Sequence, residues 1–572
     1  MAEIDYGYLK DDDGQRFYPI TNYEVLTNKP DLSQLIKKTD IIVSNKIEPT
    51  KSSGDLSLMK FKSLGVKDYT PQTDPSYDQN YHLENPAGFM NDMQSIIKGR
   101  DGTWHVWYLQ NPLFQVNGEG GTSNWQHATS TDNGIHWVND PGLAIKADLL
   151  DGSVKWGSVA TGSVVISDGT IEGTKDGDFV AFFSSYGAKN CGGQSIWVAV
   201  SKDNGVTFQS LYEDAVLPNH ENFPDFRDPF VMKHDGKWVM YTAEGQKIGT
   251  YNSTNGKNWV FAGGTMTTGD QFSDGKDYGL IECPYVTEIK ADDGTTHWAM
   301  FFGCNDFNHG HSTGTSYLIG TVDENGNFTK TNKETVPVRI DIGTDYYGSN
   351  FGKVNDATLI TSSWMNNWGY ATVEVKGIDG TRCAKGSTCA LFRHSTLHKD
   401  QASPSGYTFK SVVLPVVNRT NALNDDWQRF YDIQSGSEVS TSVGNSRVID
   451  YIVKSDDGTG YFTLVFEQDD NSVVLFVDIA GGVCHIKRSS NGNFDNADYN
   501  IENNSISFGQ AGLKEINMTV YLDTKSIEIE FANTGQIYSI LKWGKRTNPN
   551  TRIKMQAGGR NLVVNNKVYS YK

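Results

Sequence analysis

Residues Tyr81–Ser95 read YHLENPAGFMNDMQS, and one carboxylate, Asp92, stands in this run beside a short polar turn. Two later stretches complete it: FRDPF at Phe226–Phe230 and ECPY at Glu282–Tyr285. Each motif alone is weak. The chain carries 68 Asp and Glu, most of which belong on a solvated surface. An Arg-Asp pair is ordinarily a structural ion pair, and an Asn-Asp pair is ordinarily a turn. In this order, however, the three predict a pocket in which Asp92, Asp228 and Glu282 meet and cleave a sugar linkage.

Two carboxyl groups flanking a glycosidic bond can perform both halves of retaining hydrolysis. One attacks the anomeric carbon and the other protonates the leaving oxygen. The attacker must be ionised and the acid protonated near neutral pH, so their environments must differ. Asp92 follows the amide of Asn91, and donors there would favour its charged form. Glu282 lies beside Cys283 and Pro284 after YGLI, an apolar setting that would raise its pKa. Asp228 follows Arg227, a cation that would keep it ionised, which suits a cationic transition state better than proton transfer.

Composition narrows the partners. The 572-residue chain has a formal net charge of −18, which repels nucleic acid and anionic membranes and suits a neutral partner such as carbohydrate; it equally suits solubility. No run of eighteen apolar residues spans a membrane. The start, MAEIDYGYLKDDDG, has no basic region followed by an apolar core, so it is not a signal peptide. Six cysteines are too sparse for a disulfide scaffold, although Cys383 and Cys389, bracketing AKGST, leave a small local disulfide open. No metal or other cofactor is expected. His309 and His311 in NHGHSTG lack a nearby carboxylate partner and read as a polar loop.

Glycine, 58 residues against 16 prolines, and the aromatic and β-branched load indicate short strands and tight turns. In the first 80 residues, YGYLKDDDGQRFYPI is compatible with a small hairpin and Asp31–Lys38 with two helical turns. Beyond residue 80 a unit repeats: HATSTDNGIHW, VAVSKDNGVTF, GTYNSTNGKNW and IGTVDENGNF, with turn glycines Gly134, Gly205, Gly256 and Gly326. Each is a strand, a turn with Asn before Gly, and an aromatic residue shortly after. Four copies plus the SWMNNWGYATVEV region (Ser363–Val375) predict about five blades of a β-propeller, with a pair of sandwiches as the alternative. After about Pro404 the strands alternate apolar and polar, as in YFTLVFEQ (Tyr461–Gln468), which predicts a β-sandwich. The expected division is an N-terminal arm over 1–80, a five-bladed propeller over 81–405 and a sandwich over 406–572.

The chain resembles glycoside hydrolase family 32, the invertases, inulinases and levanases. FMNDMQ (Phe89–Gln94), YLQNP (Tyr108–Pro112), NWQHATSTD (Asn124–Asp132), ATGSVV (Ala160–Val165), FRDP, ECP, DIGTDYYGSNF (Asp341–Phe351) and SWMNNWGYA (Ser363–Ala371) carry the resemblance. It implies an all-β fold, a five-bladed β-propeller followed by a C-terminal β-sandwich. It implies Asp92 as nucleophile, Glu282 as acid/base and Asp228 as transition-state stabiliser, acting on β-fructofuranosides. It also implies a fructosyl unit held by Asn91, Gln110, Ser163 and Arg227, with Trp125 and Trp364 as pocket walls; for the two tryptophans, core packing is an equal reading. Where the family continues Asn-Asp with Pro-Asn-Gly, this chain has Met93, Gln94 and Ser95. Gln94 is similar to the levan-acting branch, so Gln94 becomes a substrate-binding candidate and levan the favoured substrate. Fructosyl transfer and non-catalytic fructan binding are the competing readings. In CALFRHSTLHKD (Cys389–Asp400) the family strand differs, and Arg393 receives no role. An extracellular or cell-surface location is expected.

Overall fold

In the computed structural model, residues 77–571 are described except 87, 112–122, 148–155, 189–192, 220–224, 268–277, 306–311, 332–337, 372, 374–386, 421–425, 470, 490–497, 500–505, 543–547 and 549; of the first 76 residues, only the backbone of Glu3–Asp5 and Tyr8–Lys10 is described. These two short strands pair with each other, Glu3 opposite Lys10. Tyr8–Lys10 thus pairs with Glu3–Asp5, which precedes the Tyr6–Ile20 stretch considered for a hairpin; the rest of that stretch lies outside the described residues. The helical turns considered for Asp31–Lys38 lie outside the described residues.

Five antiparallel sheets follow in chain order. Their first strands are Phe89–Lys98, Ser158–Asp168, Arg227–His234, Glu282–Lys290 and Tyr347–Asn355. Each first strand touches the first strands of the sheets on both sides, the fifth against the first, so the five close a ring. This is a five-bladed propeller. Its second strands lie between neighbouring blades and are covered on both faces. Trp104–Asn111 is accordingly buried along its whole length, and its sequence, WHVWYLQN, does not alternate.

The repeated turns join the third and fourth strands of the first four blades and lock each blade to the one before it. Asn133 and Gly134 both take positive φ (64° and 84°), as do Asn204 and Gly205 (58° and 84°), the backbone that Asn-Gly supplies most readily. A Cβ on Gly205 would lie 2.4 Å from the Trp107 ring, and Trp107 Nε1 donates to Gly205 O at 2.9 Å. Gly256 sits likewise against Ile171, Gly326 against Val239 and Gly134 against Ile360. The aromatic residue after the turn closes it: Trp137 Nε1 donates to Gly134 O at 2.9 Å. The fifth blade, which ends with Tyr407–Val413, turns through Gly406 without such a contact.

Two six-stranded sheets form the C-terminal sandwich, beginning with Trp427–Ile433 in one and Glu438–Gly444 in the other. Tyr461–Gln468 alternates outward and inward, and its buried Phe462, Leu464 and Phe466 join a core with Ile449, Leu475, Ile529 and Met555. Ser526–Phe531 is buried on both faces because one faces the sandwich core and the other the propeller. Charges cross that junction. Arg393 Nη1 donates to Asp341 at 2.7 Å and Nη2 to Glu528 at 2.9 Å, with Ser539 between them. His82 bridges Asp523 (2.8 Å) and Glu528 (3.0 Å). Arg393 thus joins the two parts of the chain. Cys283, Cys304, Cys389 and Cys484 are buried; the Cys389 thiol packs against Ser362, while Cys383 and Cys191 lie outside the described residues. No helix among the described residues is long and apolar enough to cross a membrane.

Candidate active site

All five inner strands carry a register shift near their starts: between Met90 and Met93, Val159 and Gly162, Arg227 and Phe230, Glu282 and Tyr285, and Tyr347 and Asn350. Bulges re-aim side chains, and here they gather at one end of the ring. Asp228 and Cys283 sit at positive φ (58° and 50°), a conformation that costs a residue with a Cβ of order 1–3 kcal/mol. The three carboxylates stand at this end of the first, third and fourth blades.

Asp92 is 8% exposed. Its Oδ2 accepts a hydrogen bond from the Thr161 hydroxyl at 2.9 Å, from the second blade. Its Oδ1 faces Gly348, where a Cβ would lie only 2.1 Å away. Asp228 is buried, its amide donating to Ser184 Oγ (2.7 Å) and its Oδ2 accepting from the amide of Cys283 (3.0 Å). Glu282 Oε1 accepts from Arg227 Nε (3.0 Å) and Nη2 (2.7 Å), and its Oε2 accepts from the Tyr347 hydroxyl (2.5 Å). Arg227 also binds Asp225 through Nη1.

Burial, followed by the charges of Asp228 and Glu282, pushes the Asp92 carboxyl up to about 8. Burial pushes Asp228 up to about 6 against the pull of Arg227. Both differ from the expectation that Asp92 and Asp228 stay readily ionised. Among the described residues the donor to the Asp92 carboxylate is Thr161, while Asn91 Oδ1 accepts from the Asp92 amide (2.9 Å). Arg227 serves Glu282, approaching Asp228 only to 4.0 Å. The apolar setting expected for Glu282 is instead a guanidinium and a phenol. Burial and neighbouring carboxylates raise both Asp92 and Asp228, so this end of the ring retains a proton near neutral pH.

The other sequence candidates divide. Arg227 is in the cluster and Asn91, half-buried, adjoins it. Gln94 is fully buried, its amide donating to Asp92 O (2.5 Å) and accepting from the Gly162 amide (2.7 Å), so it braces the first blade against the second. Ser163 is likewise occupied, between Pro229 O (2.8 Å) and the Val231 amide (3.0 Å). Gln110 is buried and accepts from Asn124 at 3.2 Å. Trp125 packs edge-on against Phe183 and donates to Ala160 O, which is core packing. Trp364 is buried, edge-on to Phe89 and Tyr347 and to the part-exposed Trp368. His309, His311 and the Asn117–Gly121 loop lie outside the described residues. Sequence reading passed over Thr161 and Tyr347, although both fall inside the motifs ATGSVV and DIGTDYYGSNF.

Comparison with known proteins agrees with this architecture. The model of the glycosyl hydrolases family 32 N-terminal domain matches residues 82–399. A levanbiose-producing levanase of Bacillus subtilis (strain 168) is 27% identical over 478 residues, covering 81% of this chain and 85% of the relative. A levanbiose-producing levanase of Geobacillus stearothermophilus is 28% identical, covering 63% and 92%. The crystal structure of exo-inulinase from Aspergillus awamori superposes with a TM-score of 0.72 at 21% identity, over 87% of this chain and 98% of that one. A fructofuranosidase from Schwanniomyces occidentalis in complex with fructose gives 0.69 at 18% identity, over 87% and 99%. With the family model spanning more than half its length, the chain belongs to glycosyl hydrolase family 32 and is a glycosidase of the fructofuranosidase type.

Proposed function

We propose that this chain is a retaining fructan hydrolase with levan as its favoured substrate. Asp92 attacks the anomeric carbon of a β-fructofuranosyl unit and forms a covalent fructosyl-enzyme. Glu282 donates its proton to the departing glycosidic oxygen, then takes one from the water that releases fructose or a fructo-oligosaccharide. Asp228 offsets the positive charge of the oxocarbenium-like transition state. The observation that carries the reading is that Asp92 and Asp228, both buried, and Glu282, held by Arg227, stand at one end of the ring close enough for the charges of the other two to act on Asp92. Turnover requires Asp92 to be charged when it attacks and Glu282 to carry the proton it donates. Two levanbiose-producing levanases among the relatives favour levan. The catalytic unit is assigned to residues 81–405 and an accompanying sandwich to 406–572, acting outside the cell or at its surface, as the extracellular exo-inulinase relatives do.

Incubation with levan, inulin and sucrose, followed by chromatography, tests the substrate. Release of free fructose or short oligosaccharides from levan is expected; a cyclic difructose would indicate transfer, and no product from any of the three would sink the hydrolase reading. Asp92→Ala and Glu282→Gln should each lower turnover by at least about 10³. Near-normal turnover in Glu282→Gln would remove that residue from its role.

A further inference from the structure

Tyr347 donates to Glu282 from the fifth blade, yet the chain leading into it is held by the sandwich. The segment from Asp341 to Asp345 runs beside the sandwich strand Gln536–Leu541. The Ile342 amide donates to Ile537 O at 2.9 Å and the Asp345 amide to Ser539 O at 3.2 Å. Leu541 N donates to Asp345 Oδ2 at 2.8 Å, and Ser539 N to Asp341 Oδ1 at 3.1 Å. The approach is close enough that a Cβ on Gly343 would lie 2.2 Å from Ser539 O.

Asp345 is fully buried, and its charge is met by Arg488 on the sandwich strand Val483–Ser489, Nη1 to Oδ2 at 2.6 Å. The same guanidinium donates from Nη2 to the Tyr370 hydroxyl (2.5 Å), from Nε to Tyr499 O (2.8 Å) and from Nη1 to Leu541 O (3.0 Å). It lies 3.9 Å from the centroid of the Tyr499 ring. Tyr370 in turn donates to Asp345 Oδ1. Arg488 thereby grips two segments at once. One, Asp345–Tyr347, ends on Glu282. The other, Asn366–Ala371, follows Trp364, whose ring stands edge-on to both Tyr347 (6.4 Å) and Trp368 (4.9 Å).

We propose that Arg488 is a positioning residue of the active site, by which the sandwich fixes Tyr347 on Glu282 and sets the adjoining Trp364–Tyr370 wall. The proposal rests on the reading of Glu282 as acid/base. Interdomain adhesion alone would not call for this arrangement: the ion pair of Lys525 with Glu84 and the bridge from His82 to Asp523 also join sandwich to propeller, but neither grips a segment that ends on Glu282 as Asp345–Tyr347 does. A guanidinium is needed because four acceptors in different directions must be met from one buried cation, which an ammonium cannot match in plane.

The test compares Arg488→Lys and the double variant Asp345→Asn/Arg488→Met, which leaves no unpaired buried charge, with Lys525→Met as a control for lost adhesion. Steady-state rates on levan across pH, melting temperature and hydrogen exchange of residues 344–350 and 364–371 are read for each. Arg488→Lys and the double variant should lower kcat about tenfold, more than they change KM. They should also move the basic limb of the pH profile upward, because a carboxyl that loses a hydrogen-bond donor holds its proton more tightly. Tyr347→Phe should reproduce that limb shift, and adding Arg488→Lys to it should produce little more. Lys525→Met should lower the melting temperature and leave the limb in place. The proposal is overturned if the Arg488 variants melt earlier yet keep kcat and the limb, or if their effects and that of Tyr347→Phe simply multiply. Should Glu282→Gln prove active, the role of Glu282 falls separately, and the exchange data still decide: faster exchange of both segments in Arg488→Lys but not in Lys525→Met supports the hold, and equal rates overturn it.

Discussion

Arg227 gives two of its N–H groups to Glu282, 55 residues away, and comes no nearer than 4.0 Å to the carboxylate of its neighbour Asp228. The positive φ of Asp228 and the bulge after Arg227 cause this, since they turn consecutive side chains apart. Both N–H groups converge on a single oxygen, Oε1, while Tyr347 takes Oε2. Arg227→Lys keeps the charge but cannot fork, so kcat should fall roughly 10²-fold, measured by steady-state kinetics at the pH optimum. A lysine variant within twofold of the parent would mean that Arg227 acts only as a point charge.

A carboxyl raised to about 8 in the folded chain makes Asp92 a source of instability. The sign follows from proton binding. Between about pH 4 and 8 the folded form holds a proton on Asp92 that the unfolded chain does not, so stability falls as pH rises through that range. Asp92→Asn has no such proton to lose. It should equal the parent near pH 4 and exceed it by up to roughly 3–5 kcal/mol near pH 8, while being inactive. Denaturant titrations of both proteins at several pH values measure the difference; a gap that does not widen with pH would contradict the raised carboxyl.

Gly348 lies against Asp92 Oδ1 at φ 55°, so alanine there faces both a left-handed backbone and a 2.1 Å approach to the carboxylate. Gly236 has φ 77° with nothing within 4 Å of a built Cβ. Gly236→Ala therefore isolates the backbone cost, about 1 kcal/mol, without touching activity. Gly348→Ala should lose that stability and also about 10²-fold in kcat, because the nucleophile must move. Equal activity in the two variants would show that the pocket absorbs the added methyl.

Much of the scaffold was legible because its signals are local. Asn133-Gly134 and Asn204-Gly205 announce turns needing positive φ, and Tyr461–Gln468 shows the alternation of a sheet with one covered face. The site was legible only as far as its residues keep one direction. Alternation would put Asp92 and Gln94 on the same side, but the register shifts twice between Met90 and Ser95, and Gln94 ends between two backbones. The same effect hid Thr161, which reaches Asp92 while Ser163, two residues on, bonds the third blade. Charge states were least legible. The local sequence of Asp92 suggests stabilising donors, whereas burial and two carboxylates far along the chain outweigh them.

His82 offers a test of the junction between propeller and sandwich. Burial alone would lower its pKa, but bonds to Asp523 and Glu528 outweigh that and raise it to about 9. A raised imidazolium contributes stability that is fully present below about pH 6.5 and is lost as pH climbs through 9. The contribution is at most about 3 kcal/mol, and both carboxylates remain buried when the charge on His82 is gone. The parent should thus melt at falling temperature between pH 7 and 9.5. His82→Gln keeps a donor but no charge, so it should be less stable than the parent at pH 6.5, with the gap closing by pH 9.5. Calorimetric scans of both proteins at these pH values measure it. A gap constant across the range would mean that His82 is neutral at the junction and that Arg393 alone balances Glu528.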